Sequence, residues 1–113
     1  MYLVCNFIPI AEDHRDDFEE RFLGRMPRMR EQPGLRRVRV MRPDDRKGPP
    51  SPVPPHYMVE MEWDSLEDFQ NWMKSDHFKE VHRNKTPEEW FAGQSWIGFY
   101  RCVGGTHEGD TGG

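Results

Sequence analysis

The stretch from Trp63 to His82 carries the residue types that are best suited to chemistry. Its apolar residues recur at spacings of three and four, which predicts an amphipathic helix: Leu66, Phe69, Trp72 and Met73. A second helix is predicted to begin after Ser75, with His82 on its apolar face beside Phe78 and Val81. An imidazole next to an aromatic wall could hold a flat ligand with a metal ion at its centre. A histidine on an apolar stripe is more often a core or boundary residue, so the spacing alone does not decide between the two.

Asn6 is a second polar side chain on a predicted apolar surface. Residues 2–10 alternate as a β-strand, and Asn6 shares one face with Tyr2, Val4 and Ile8. Asparagine is depleted in strands, and a buried amide needs a hydrogen-bond partner or a cavity. The first strand and the helix that carries His82 could therefore bring these two side chains to the same space.

Other catalytic signatures are absent from the sequence. It contains no glycine-rich nucleotide loop, no HExxH or CxxC metal motif and no GxSxG nucleophile motif. His77 and His82 are five residues apart, which is a poor spacing for two ligands on one helical face. Cys5 and Cys102 lie in predicted strands, where a small buried hydrophobic role is the default.

The composition predicts a small cytoplasmic protein that associates with itself. The chain has 113 residues, of which 35% are hydrophobic and 32% are charged, so a single domain would have a thin core and gain from forming a homodimer. The net charge of −4 argues against a nucleic-acid partner. No signal peptide or membrane-spanning run is recognised, and two cysteines are too few for a disulfide framework. A cytoplasmic location with reduced thiols and no membrane partner is therefore predicted.

The predicted elements follow the order β-α-β-β-α-β. Periodicity predicts strands at residues 2–10, 35–42, 56–63 and 94–103, and helices over residues 12–30 and after Ser65 and Ser75. With right-handed crossovers, this order gives an α+β, ferredoxin-like fold in which helices cover one face of a four-stranded antiparallel sheet. Residues 1–103 are predicted to form the domain, and residues 104–113 a disordered, glycine-rich tail.

Two connections have unusual sequences. Residues 43–55 contain six of the ten prolines and are predicted to form a stiff exposed loop, although the segment also fits a PxxP ligand of a recognition domain. Residues 83–93 are predicted to be irregular, with a short helical turn that starts at Pro87. The sequence assigns neither connection a part in chemistry.

Taken together, these residues resemble the antibiotic-biosynthesis-monooxygenase superfamily, and within it the IsdG-type haem-degrading monooxygenases. The likeness covers about residues 1–103, apart from the proline-rich loop. Asn6 sits where that family keeps an asparagine on its first strand. Trp72 and His82, in NWMKSDHFKEVH, match the family's tryptophan and haem-ligating histidine at the same separation. The stretch Glu20-Arg21-Phe22 and Arg25 resemble residues of the first helix that line the family's pocket.

The resemblance implies an activity, an assembly and a site. The activity would be oxidative opening of the porphyrin ring with release of iron, in a dimeric α+β barrel. Haem would be both substrate and cofactor, with molecular oxygen and an external reductant, whose identity the sequence does not give. His82 would bind the haem iron and Trp72 would press on the porphyrin. Asn6 would donate a hydrogen bond on the opposite face.

Three more residues have roles by the same resemblance, and two other functions stay open. Phe22 would line the haem pocket, and Arg21 and Arg25 would pair with the haem propionates or be merely solvated. One alternative is a haem-independent monooxygenase of the same superfamily, acting on a quinol or aromatic small molecule. The other is a haem-binding protein without turnover, or a dimeric module that binds nothing. Whether His82 points into the pocket distinguishes haem degradation from the haem-independent alternative.

Overall fold

The computed structural model describes residues 1–45 and 51–110. Four strands are present: β1 (Tyr2–Ile8), β2 (Leu35–Met41), β3 (Tyr57–Trp63) and β4 (Trp96–Arg101). They form one antiparallel sheet in the spatial order β2-β3-β1-β4. Each predicted strand is found, and each is one to four residues shorter than predicted. The predicted α+β, ferredoxin-like arrangement is confirmed.

The first helical region differs from the prediction of one helix over residues 12–30. A 3-10 turn (Glu12–His14) precedes α1 (Arg15–Leu23), and the chain leaves the helix at Gly24 before α2 (Met26–Met29) begins. Glycine weakens a helix interior. Pro27 has no amide hydrogen to donate, so it suits the first turn of a new helix, which is where it lies.

The second helical region forms the two helices that the sequence predicted, α3 (Leu66–Met73) and α4 (Asp76–Arg83). Ser65 Oγ accepts a hydrogen bond from the Asp68 N–H at 3.1 Å, and Ser75 Oγ accepts one from the Phe78 N–H at 3.2 Å. Each serine satisfies a backbone donor that the start of a helix leaves unpaired. Ser75 Oγ also donates to the Trp72 carbonyl at 2.6 Å, which joins the end of α3 to the start of α4.

The core lies between the helices and one face of the sheet. Because successive strand residues point to opposite faces, alternate residues of β1 and β3 meet the helices. Four of them are buried to 2% exposure or less: Val4, Tyr57, Val59 and Trp63. Along β3 every second residue from Tyr57 to Trp63 is buried, as one inward face requires. Asn6 lies on this same face, paired with Val59 on β3 and Ile97 on β4.

The opposite face of the sheet combines a row of ion pairs with an apolar strip. Arg37 contacts Glu62 and Arg39 contacts Glu60, each at 2.6 Å, so the charges on β2 and β3 are paired. The neighbouring strands contribute the apolar strip: Leu3, Phe7, Trp96 and Tyr100. Phe99 of β4 is also exposed in the single chain. The register with Val4, however, puts Phe99 on the helix-facing side.

The described part of the loop between β2 and β3 is anchored at its start. Arg15 Nη1 donates to Asp45 Oδ2 at 2.6 Å, and Arg42 Nη1 donates to Glu19 Oε2 at 2.8 Å. Residues 51–55 are exposed, in keeping with the predicted loop. Residues 46–50 of that loop and 111–113 of the predicted tail lie outside the described residues, and the boundary at residue 103 stays a prediction. None of the helices in the described ranges combines the length and apolar character that crossing a membrane requires.

Candidate active site

A cleft of about 560 Å³ lies between the sheet and the helices. Its floor is formed by helix-facing side chains of β1, β3 and β4, and its walls by the helices and the segment after α4. The cleft brings together five of the six residues predicted for the site: Asn6, Phe22, Arg25, Trp72 and His82. A smaller cleft of about 190 Å³, between α2 and β2, contains none of the six. The larger cleft is therefore the candidate site.

Asn6 faces this cleft without a protein partner. Its side chain is half-buried, and no described residue hydrogen-bonds its amide. Its neighbours across the sheet, Val59 and Ile97, are apolar and offer no side-chain acceptor. The amide is therefore available to hydrogen-bond a ligand in the cleft.

His82 lies near the end of α4, at the exposed rim of the cleft. Its Nδ1 is 3.1 Å from the Phe78 carbonyl oxygen, one helical turn earlier, and the His82 and Phe78 rings are tilted by 35° with centroids 4.0 Å apart. A carbonyl only accepts hydrogen bonds, so Nδ1 carries the ring proton in this contact. The lone pair of the neutral imidazole then resides on Nε2, which makes that nitrogen the one free to bind a metal.

Trp72 is held rigidly against the cleft. Its side chain is 7% exposed and meets the Phe78 ring edge-on at a centroid distance of 4.9 Å. The indole Nε1–H donates to Nδ1 of His77 at 3.1 Å. The buried indole N–H thus has a hydrogen-bond partner, which together with the packing fixes the orientation of the ring.

His77 is a residue whose part the sequence analysis missed. It was considered there only as a poor second metal ligand, whereas the structure buries it to 9% exposure as the acceptor for Trp72. Burial, helped by the positive charge of Arg28, lowers the pKa of His77, which favours the neutral ring that can accept. The chain turns at Ser75, and this turn brings the Trp72 and His77 rings together. The sequence signal for the turn was Ser75 itself, a capping residue that lies between the two.

The two predicted arginines occupy different positions. Arg25 lines the cleft, with its guanidinium 4.8 Å from the centroid of the Phe22 ring and Nη2 donating to the Asn84 carbonyl at 3.2 Å. Burial, together with the nearby charge of Arg21, lowers the pKa of Arg25. Arg21 does not line the cleft. Its Nη2 donates instead to the carbonyls of Asn84 and Lys85, at 2.5 and 2.9 Å.

The segment after α4, whose part the sequence left open, also contributes to the site. Residues 84–86 line the cleft, as do Ile97 and Phe99 of β4. The 3-10 turn predicted near Pro87 is present as Glu88–Trp90. The Trp90 carbonyl accepts from the Ala11 N–H at 2.7 Å, so the segment is tied back to the start of the first helical region.

The family model described as antibiotic biosynthesis monooxygenase matches residues 1–84. The chain belongs to the antibiotic biosynthesis monooxygenase family. This confirms the predicted superfamily and the predicted class of enzyme, a monooxygenase.

Among the relatives of this family member is a haem oxygenase (staphylobilin-producing) of Staphylococcus saprophyticus. It is 30% identical over 86 residues, which cover 76% of this chain and 77% of that protein. Such identity and coverage agree with the family assignment.

Two similar solved structures share the fold of this family member. One is MhuD, a haem degrader of Mycobacterium tuberculosis, with two haems in its active site; it has a TM-score of 0.70, 20% identity, and coverage of 95% of this chain and 100% of that chain. The other is a variant of MhuD with two manganese protoporphyrin IX molecules per active site. It has a TM-score of 0.73, 19% identity, and coverage of 95% and 99%. At these identities the structures support the fold.

Proposed function

We propose that the protein is a haem-degrading monooxygenase, which opens the porphyrin ring oxidatively and releases its iron. The observation that carries the proposal is the position of His82. Its Nδ1 is occupied by the Phe78 carbonyl, and its Nε2 is left free at the rim of a cleft that Trp72 and Asn6 also line. The haem oxygenase relative supports the same substrate class.

The chemistry of the cleft fits haem. Its volume of about 560 Å³ and largely apolar lining suit one flat hydrophobic molecule of this size class. A neutral imidazole is a common haem ligand, and the backbone carbonyl behind it would fix the ring and increase its basicity. Arg25 faces the cleft and is not paired with a carboxylate among the described residues. It is therefore placed to bind an acidic group of the ligand, such as a haem propionate.

The residues of the cleft would divide the work as follows. Bound haem would supply both the iron at which oxygen is activated and the carbon skeleton that is oxidised, with electrons from an external reductant. His82 would bind the iron through Nε2. Trp72, fixed by His77, would form a rigid wall against the ring. The Asn6 amide would donate a hydrogen bond where negative charge develops on oxygen, in surroundings that exclude much of the water.

A second candidate is haem-independent oxidation of a quinol or another aromatic molecule. It is favoured by one observation: His82 lies at the exposed rim, where an imidazole can move protons to and from a substrate without any metal. In that case, Asn6 and the aromatic walls would bind the substrate directly. A haem-binding protein without turnover is the third possibility, and it would need no donor at Asn6.

A haemin titration followed by its Soret band tests the proposal. The parental protein should saturate, and adding oxygen with a reductant such as ascorbate should then bleach the Soret band and release chelatable iron. His82→Ala should lose the haem or shift its Soret maximum while keeping the thermal stability of the apo-protein. Trp72→Ala should still bind haemin but bleach it more slowly. If the parental protein shows no saturable Soret change, the proposal is wrong and the aromatic-substrate candidate takes its place.

A further inference from the structure

Arg21 joins α1 to the chain that follows α4. A single nitrogen, Nη2, donates to two consecutive carbonyls, those of Asn84 at 2.5 Å and Lys85 at 2.9 Å. The Nε of Arg21 is buried and has no hydrogen-bond partner among the described residues. Because the side chain is fixed by its contacts with backbone, the connection does not depend on which side chains residues 84 and 85 carry.

These two carbonyls mark the point at which the chain leaves the helix that bears His82. Asn84 is the C-cap of α4; its ψ of 73° departs from helical geometry, and its N–H still bonds the Glu80 carbonyl at 3.2 Å. Carbonyls at a helix end lack partners within the helix and carry partial negative charge, so a guanidinium is favourable there. His82 precedes this point by two residues, and residues 84–86 form part of the cleft.

We propose that Arg21 is a positioning residue: it latches residues 84 and 85 to α1 and so fixes His82 and the rim of the cleft, while Arg25 is left to bind the ligand's acidic group. The ligand part of this inference rests on the proposed haem function. The latch is a property of the protein alone. The sequence had assigned both arginines the same role at the haem propionates, and the structure separates them.

The geometry supports this division between the two arginines. Arg25 makes one longer hydrogen bond to Asn84, at 3.2 Å, and its guanidinium lies over Phe22 inside the cleft. A carboxylate entering the cleft could draw Arg25 away, and Arg21 would still hold both carbonyls. Neither guanidinium is paired with a carboxylate among the described residues, so the two like charges together attract an anion.

Backbone amide exchange in the ligand-free protein tests the latch. Arg21→Met removes the donors but keeps most of the apolar stem, and Arg25→Met is the matched control. Arg21→Met should raise the exchange rate of amides in residues 84–91 roughly tenfold, whereas Arg25→Met should change it by less than about twofold. Arg21→Lys retains the charge but only one donor nitrogen, so it should give an intermediate exchange rate, and it replaces Arg21→Met in this test if Arg21→Met does not fold. Parental exchange in both Arg21 variants overturns the latch.

Haemin binding and the ring signals of His82 test the consequence. With haemin at saturation, Arg21→Met should change the Soret maximum and spin state, because His82 is no longer held in place. Arg25→Met should keep the parental spectrum and bind haemin roughly tenfold more weakly. In the ligand-free protein, the ¹⁵N shifts of the His82 ring should move in Arg21→Met but not in Arg25→Met.

The two failures are distinguishable. If the parental protein takes up no haemin, the proposed function fails. Amide exchange and the His82 ring shifts then still show whether Arg21 holds residues 84 and 85 and positions His82. If the parental protein binds haemin and Arg21→Met raises exchange without changing the spectrum or the ring shifts, the link to His82 is overturned. If Arg25→Met alone changes the spectrum, the division of roles is reversed and the inference is wrong.

Discussion

At the scale of single residues, Asn6 offers the sharpest test of turnover. Its unpartnered amide faces an apolar cleft, so Asn6→Ala should leave stability unchanged or raise it by about 1 kcal/mol. A donor aimed at developing charge is typically worth 10²–10³ in rate, so haem bleaching should fall by about that factor while the Soret titration stays near parental. Thermal melts, haemin titration and bleaching with reductant and oxygen measure the three quantities.

Ile97→Val is the matched control for this variant. Ile97 is paired with Asn6 across the sheet and lines the same cleft, but its side chain has no donor. Removing one methyl group there should change bleaching by less than about threefold. If Asn6→Ala bleaches haem at the parental rate, Asn6 has no catalytic role and is only a half-buried polar residue.

The pair of Trp72 and His77 predicts a dependence of stability on pH. Burial, followed by the charge of Arg28, lowers the pKa of His77, with smaller influences from the charges of Glu80, Arg25 and Glu31. The unfolded chain takes up a proton near pH 6.5, whereas folded His77 resists protonation until a lower pH. This contribution to stability is therefore complete above about pH 6.5 and is lost as the pH falls through the folded value.

Two variants separate this titration from other acid effects. His77→Asn cannot titrate, but its side-chain oxygen can still accept from the Trp72 indole, so its Tm should fall less than the parental Tm between pH 7.5 and 5. His77→Leu leaves the indole N–H unpaired and should cost about 1–3 kcal/mol at pH 7.5. Equal acid sensitivity in the parental protein and His77→Asn would show that His77 is not the titrating group.

The sequence identified some of these residues and could not identify others, for a physical reason. Asn6 and His82 stood out because strand alternation and helical spacing are local, and a polar residue interrupts each pattern. The contact between Arg21 and the chain after α4 joins residues more than 60 positions apart. It is made to backbone carbonyls, which every residue has, so no residue type in the sequence indicates it. His77 was missed because its partner lies across a chain turn rather than on its own helical face.

At the scale of the elements, the polar contacts of Tyr57 connect β3 to α1. The fully buried Tyr57 hydroxyl donates to Glu19, which also accepts from Arg42 at 2.8 Å. Burial and the hydrogen bond to Glu19 raise the pKa of Tyr57, so the phenol stays protonated and can donate throughout the ordinary pH range. The first helical region is thus held to the sheet by a buried polar contact as well as by Phe18, which packs on the Tyr57 ring with centroids 4.6 Å apart.

Removing one hydroxyl should therefore loosen the contact between α1 and β3. Tyr57→Phe keeps the ring and its packing but loses the bond to a charged acceptor, so it should lower the free energy of unfolding by about 1.5 kcal/mol. Tyr2→Phe is the control, because the Tyr2 hydroxyl bonds no described residue and Tyr2 lies on the helix-facing side of the sheet, away from the apolar strip. Urea denaturation measures both variants. A Tyr57→Phe protein as stable as Tyr2→Phe would mean that solvent or Arg42 fully replaces the lost bond.

The helical elements also show how far local sequence determines structure. The helix starts at Ser65 and Ser75 were predictable, because serine is strongly preferred as the N-cap residue and each of these serines directly precedes an apolar stripe of helical spacing. The break between α1 and α2 has a local signal in Gly24 and Pro27, but the helical spacing of apolar residues continues across it and so favoured one helix: Phe18, Phe22, Met26 and Met29. Periodicity reports which side of the chain is buried, and here burial continues where the helix does not.

At the scale of the whole molecule, the face of the sheet opposite the cleft exposes the apolar strip described above. Its apolar strip includes Trp96 and Tyr100, which are 38% and 49% exposed in the single chain. The neighbouring row of arginines and glutamates is paired within the chain, so covering it would not bury isolated charges. We therefore expect a homodimer in which two such faces pack together about a two-fold axis, as the sequence argument and the family resemblance both predicted.

Light scattering coupled to size exclusion tests this expectation. The parental protein should elute at twice the mass of one chain at micromolar concentration. Tyr100→Lys places a charge in the apolar strip and should shift the protein towards monomer, whereas Leu23→Lys, on the exposed side of α1, should leave it dimeric. Because the strip and the candidate cleft lie on opposite faces of the sheet, monomeric Tyr100→Lys should still bind haemin with the parental Soret maximum. A monomeric parental protein would contradict the dimer, and loss of haemin binding in Tyr100→Lys would show that a second subunit completes the cleft.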